Sequence, residues 1–181
     1  MCNGLSKRQL CLMNRLRQLW GQHVYWTRFF IISTADQLED LQTVTDRLLQ
    51  NPKDFSRLLK PVYGAKAACQ FQELFTQHLL IGADLVNAVK DGDQEKASCA
   101  RKKWYENADQ IACFLAAVNR CWQAQRWKDM LYSHLEMTEQ EAALRLQGDH
   151  AGDLKTFGAI ERDAMCMADY MFWGMVRDGF C

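Results

Sequence analysis

The chain has 181 residues, enough for one domain with a sizeable core. Lys plus Arg and Asp plus Glu number 22 each, so the basic surplus that phosphate binding needs is missing and nucleic acid is not an expected partner. Apolar residues make up 49% of the chain, but a run such as Phe29 to Ile32 is far too short to span a bilayer, and no membrane partner is expected either.

Leu, Ala, Gln and Met are frequent and proline occurs only at Pro52 and Pro61, the composition of a helix former. The spacing predicts a first helix over 6–33. Its inward face carries Leu12, Leu16, Leu19, Trp20, Thr27, Phe30 and Ile31 at about 100° per residue. A second helix is predicted over 35–50. Asn51-Pro52-Lys53-Asp54 reads as a helix start with Asn51 as N-cap, and that short helix should stop before Pro61. Tyr63-Gly64 reads as a turn. A long helix over 65–90 follows, with Phe71, Leu74, Phe75, Leu85, Val86 and Val89 on one stripe. Asp91-Gly92-Asp93 ends it and caps the next, which runs to about 118 with Trp104, Ile111, Phe114, Leu115 and Val118 inward. Another helix is predicted over 123–147. The Gly148-Asp149 break precedes a last one over 153–177 with Met165, Phe172, Trp173 and Val176 inward. Thr138-Glu139-Gln140-Glu141 has the form of a capping box, but a continuous helix is preferred there. No segment alternates with period two for long enough to make a strand. The fold class is therefore all-α: one domain, an antiparallel bundle of four or five long helices.

A shift of 56 lays 51–93 over 107–149 with eight identities, among them Asn51/Asn107, His78/His134, Leu79/Leu135 and Gly92-Asp93/Gly148-Asp149. This reads as a duplicated αα-hairpin.

Eight cysteines (Cys2, Cys11, Cys69, Cys99, Cys113, Cys121, Cys166 and Cys181) form no CxxC pair and no disulfide spacing. With no secretory leader in view, they are expected to be reduced, mostly buried small hydrophobes in a cytosolic protein. Arg101-Lys102-Lys103, with Glu106 and Asp109 close behind, reads as a solvated helix face.

Three of the four histidines are the polar members of apolar stripes: His23 between Trp20 and Thr27, His78 between Phe75 and Gly82, His134 between Leu131 and Thr138. Asn107 and Asp169 interrupt two further stripes, and Glu161 lies two turns before Asp169. His150 is expected to be exposed. Burying such groups costs several kcal/mol, of order 2–7 each, unless they are paired. Two arrangements meet that demand. In the first, His23, His78, His134 and Asp169 hold a divalent metal such as zinc, iron or manganese, or a small ligand, with Asn107 and Glu161 orienting them. An open metal position would then support hydrolysis or redox chemistry. In the second, the same residues form a hydrogen-bonded structural layer and the outer helix faces build a homo-oligomer. A Glu-x-x-His pair, a His-Glu-x-x-His motif, phosphate-binding glycine loops and a Gly-x-Ser-x-Gly elbow are all missing. No catalytic residue is assigned.

The segments "LWGQHVYWTR", "DRLLQNPKDF", "YGAKA", "HLLIGADLV", "WYENADQIACFL", "HLEMTEQEA" and "MADYM" together resemble a family of small all-helical bacterial proteins without an assigned function. Some of its members carry the label acetylglutamate kinase. Amino-acid kinases are α/β proteins with glycine-rich nucleotide loops, and this sequence has neither feature. In that family the position of Gly21 is commonly acidic and that of Arg120 commonly proline. The first departure would remove a carboxylate beside His23.

Overall fold

The computed structural model describes residues 4–179. It contains α1 (Lys7–Ala35), α2 (Leu41–Leu48), α3 (Gln50–Lys90), α4 (Gln94–Val118), α5 (Ala124–Leu146) and α6 (His150–Arg177), and no strand among the described residues. The all-α bundle expected from the sequence is the fold observed. α1, α3, α4, α5 and α6 form a closed ring, α1 on α3, α3 on α4, α4 on α5, α5 on α6 and α6 back on α1, while the short α2 bridges α1 and α3. No helix among the described residues is long and apolar enough to cross a membrane.

Local chemistry explains the boundaries. Ser6 and Gln9 form a capping box that starts α1. Asp93 and Asp149 cap α4 and α6 by accepting from Lys96 N and Gly152 N, and Gly92 and Gly148 take the positive φ of 73° and 79° that closes each preceding helix. α5 runs unbroken through Thr138, whose hydroxyl donates to the His134 carbonyl at 2.8 Å rather than capping a new helix.

Three predicted boundaries are corrected. The second helix does not begin at 35: α1 continues to Ala35, Gln37 turns with φ 54°, and α2 starts at Leu41. The helix of Pro52 does not stop before Pro61 but continues to Gly64, where φ 82° and ψ 168° kink α3 into two arms. A bend of that kind needs the conformational freedom of glycine, and Pro61 lies inside the helix three residues before it. Asn51 is not an N-cap. It is fully buried inside α3 and donates from Nδ2 to the Leu19 carbonyl at 3.0 Å, tying α3 to α1.

The core has two parts. The larger holds Trp20, Phe55, Phe71 and Phe75 in mutual ring contact, with Trp127 stacked on Trp20. The smaller joins Phe30, Ile31, Val44, Leu48, Leu79, Val86 and Ala142. The inward stripe of α6 is Phe157, Ile160, Ala164, Met167, Ala168, Met171 and Met175 with Phe172. The predicted stripe is therefore rotated by roughly one residue, about 100°, and Trp173 points outward at 44% exposure. The cysteines are corrected too. Cys11, Cys69, Cys99, Cys113 and Cys166 are exposed, Cys121 is half-buried, and all six are free thiols. They occupy the solvent faces of amphipathic helices, where a small side chain meets no packing demand. Cys2 and Cys181 lie outside the described residues.

α6 passes so close to the α4–α5 connection that a Cβ on Gly174 would overlap the Trp122 indole, whose Nε1 donates to the Met171 carbonyl at 3.3 Å. Gly174→Ala is expected to cost about 1–3 kcal/mol through overpacking. A urea melt should show this, and Trp122→Leu in the same chain should recover most of the loss.

A buried ionic network ties α1, α5 and α6. Arg28 bonds Glu141 at 2.6 Å and Asp153 at 2.8 Å. Arg145 lies 3.5 Å from Asp153 and pairs with Asp36. Three carboxylates thus face two guanidinium groups. Burial pushes the Glu141 carboxyl up to about 7, with the Arg28 hydrogen bond and charge partly offsetting. With Glu141 protonated the two guanidiniums face two carboxylates, so the direction of the shift agrees with the charge count.

Candidate functional site: a histidine layer beneath a core cavity

His23 on α1, His78 on α3 and His134 on α5 meet inside the bundle, each only 2% exposed. Their ring centroids lie 5.4 Å apart for His23–His134 and 6.5 Å for His23–His78. Phase places them there: each belongs to its helix's inward stripe, and the aromatic cluster of Trp20 and Phe75 lies against them.

The hydrogen bonds define the protonation of the layer. Asn107 Nδ2 donates to the Leu74 carbonyl at 3.1 Å, which can only accept. Asn107 Oδ1 therefore faces His78 Nδ1 at 2.9 Å and takes its proton. His78 is held as the Nδ1–H tautomer, and its Nε2 is a bare acceptor. Trp104 Nε1 donates to the His78 carbonyl at 2.9 Å, and the close pass of Gly82, where a Cβ would lie 3.1 Å from the indole, lets α3 and α4 reach this contact. His23 Nε2 and His134 Nε2 share one proton across 3.3 Å. One ring must donate and the other accept, so their Nδ1 atoms are one bare acceptor and one N–H. Neither has a partner among the described residues.

All three rings are neutral. Burial lowers His78 to about 4, with the Asn107 hydrogen bond opposing. Burial, then the charge of His78, lowers His134 to about 3. Burial, then His134 and His78, holds His23 well below its ordinary value.

Above the layer, where the two core clusters join, lies a cavity of about 220 Å³. Its walls are mainly apolar, from Phe30, Ile31, Leu79, Val86, Trp104 and Ala142, and the three histidines form its polar end. The Thr27 and Thr138 hydroxyls also line it, but each donates to the histidine carbonyl one turn back, at 2.8 Å. Arg101 and Glu139 stand on the side where the cavity nears solvent.

Of the residues singled out in the sequence, the structure brings together His23, His78, His134 and Asn107. It does not bring Asp169 or Glu161. Asp169 is 38% exposed and bonds Arg17 Nε and Nη2 at 2.7 and 2.8 Å, because the true inward face of α6 leaves it on the flank. Glu161 accepts from Tyr25 at 3.0 Å, on the outside of the α1–α6 contact. Among the described residues no group of three His, Cys, Asp or Glu is arranged to hold a metal ion. His150 is exposed, as expected. Sequence reading missed the buried roles of Glu141 and Asp153. An apolar-stripe test of the kind applied to the histidines marks Glu141, which lies one turn past Thr138.

No family model matches the chain, and neither curated proteins nor solved structures yield a match.

Proposed function

We propose that the chain is a binding protein for a small, largely apolar molecule that carries a neutral hydrogen-bonding group. The apolar body would occupy the cavity and the polar group would lie on the histidine layer. One observation carries this reading: a cavity of about 220 Å³ ends on three buried neutral imidazoles, two of which have a ring nitrogen with no partner among the described residues. An apolar cavity of about 150 Å³ already accepts benzene, and a hydroxyl can both donate to a bare ring nitrogen and accept from a ring N–H. A charged group would not suit neutral, desolvated rings.

p-Cresol and toluene, compared by thermal shift and calorimetry, test the reading. A buried hydrogen bond contributes about 0.5–1.5 kcal/mol, so p-cresol should bind up to about tenfold tighter than toluene. His134→Leu should remove that preference, and Ala142→Leu should weaken both by filling the cavity. If neither compound binds, the layer serves the fold and the reading fails.

A second reading rests on the 3.3 Å between His23 Nε2 and His134 Nε2. Two nitrogens bound tetrahedrally to zinc at about 2.0–2.1 Å would lie at nearly this separation. A divalent metal, zinc, iron or manganese, would sit on this pair with its other positions filled by His78 or by small molecules. Metal analysis of untagged protein tests it: stoichiometric metal lost in His134→Ala supports it, and metal content that is low and unchanged by the substitution overturns it.

A further inference from the structure

Two charged residues line the cavity, Arg101 on α4 and Glu139 on α5. Arg101 Nε lies 2.8 and 3.0 Å from the two oxygens of Glu139 and Nη2 meets the nearer one, so guanidinium and carboxylate are directly paired. Both side chains are partly exposed, 43% and 25%, so their bond is screened and opens readily. They present one positive and one negative group side by side at the solvent end of an otherwise apolar cavity. Arg101 also stands six residues before Asn107 on α4, about 9 Å along the helix, and Asn107 marks the level of the histidine layer through its bond to His78.

We infer that the cavity takes a zwitterion, a compact apolar or aromatic body with an ammonium and a carboxylate on its outer end, as in an α-amino acid, with Arg101 and Glu139 separating to receive the two charges. This rests on the cavity being a binding site, and adds what the mouth selects. Charge pairing gives the reason. A zwitterion puts its carboxylate on Arg101 and its ammonium on Glu139, so that every charge keeps a partner. An acid alone takes Arg101 and strands Glu139 beside a like charge. An amine alone does the reverse with Arg101. The helix rise of about 9 Å from Arg101 to Asn107 leaves room for a body the length of a hydroxyphenyl side chain, with its hydroxyl on the layer.

Four compounds with one common body separate the claims: p-cresol, tyramine, 3-(4-hydroxyphenyl)propanoate and tyrosine, each titrated into the full chain by calorimetry. Tyrosine is expected to bind at least tenfold tighter than tyramine or the propanoate. Arg101→Gln should shift the preference to tyramine and Glu139→Gln should shift it to the propanoate. Both positions are partly exposed, so the variants are expected to fold. Binding of p-cresol with tyrosine no tighter than the singly charged compounds would overturn the zwitterion inference and leave the cavity reading intact. No binding by p-cresol or any of the other three would overturn the cavity reading and this inference with it.

Discussion

Lowering the pH from 6.5 to 5 is expected to cost the fold about 2 kcal/mol, a sizeable share of a typical net stability of 5–15 kcal/mol. The unfolded chain protonates His23, His78 and His134 near 6.5, whereas the folded chain keeps them neutral down to about 4 for His78 and about 3 for His134. A depressed basic group stabilises the fold above its unfolded value, and that contribution is lost as the pH falls toward its folded value. Glu141 acts in the opposite sense. Its folded value of about 7 lies above the ordinary 4.5, so its contribution is present below 4.5 and lost as the pH rises through 7. Asp163, raised to about 6 by burial, acts in the same sense as Glu141. Averaged over the window the unfolded chain therefore binds about one proton more than the folded chain, which corresponds to about 1.4 kcal/mol per pH unit. Urea midpoints measured at pH 6.5, 5.8 and 5.0 would show the slope, and Glu141→Gln should steepen it. Stability independent of pH over that interval would mean that the imidazoles are not held neutral.

Arg28→Met should be the most damaging single substitution on the ionic network. Among the described residues it removes the one cation hydrogen-bonded to Glu141, 1% exposed, and the nearest one to Asp153, 0% exposed. Breaking one side of a buried pair costs about 3–5 kcal/mol where the stranded group stays ionised, so the loss should be fullest above pH 7, where Glu141 is a carboxylate in the folded chain. Asp153 keeps Arg145 at 3.5 Å, so most of the loss should arise at Glu141. Combining Arg28→Met with Glu141→Gln should then recover a large part of it. Chemical denaturation of the two singles and the double gives the coupling directly. A loss below about 1 kcal/mol, the range of exposed ion pairs, would show that solvent reaches the network.

Much of this was legible in the sequence because helical phase is a local property. Trp20, His23 and Phe30 share a stripe whatever surrounds them, and the same holds for Phe75 and His78 or Leu131 and His134. Asn107 was legible as a polar residue in mid-stripe. Asp169 was misplaced for a reason of the same kind: over 164–176 α6 has Asp169 as its one charged residue, with Met165, Trp173 and Val176 beside the true inward set, so two phases fit almost equally there and the sequence alone does not choose. Pro61 and Asn51 misled because each has a usual local role that tertiary contacts override here. The bond from Asn51 to the Leu19 carbonyl spans 32 positions. Arg28 lies more than a hundred residues from both Glu141 and Asp153, and the three form no motif. The cavity has no sequence signature, since its volume depends on how five helices fail to fill a common space.

The placement of the indoles has an optical consequence. Trp20 stands edge-on to His23 at 6.0 Å and Trp104 lies 5.4 Å from His78, while Trp20 and Trp127 are nearly parallel at 6.4 Å. Imidazolium quenches indole emission and parallel indoles couple their transitions, so fluorescence and near-ultraviolet circular dichroism report on the histidine layer without a label. An occupant, or a proton, at that layer would be read by the protein's own chromophores.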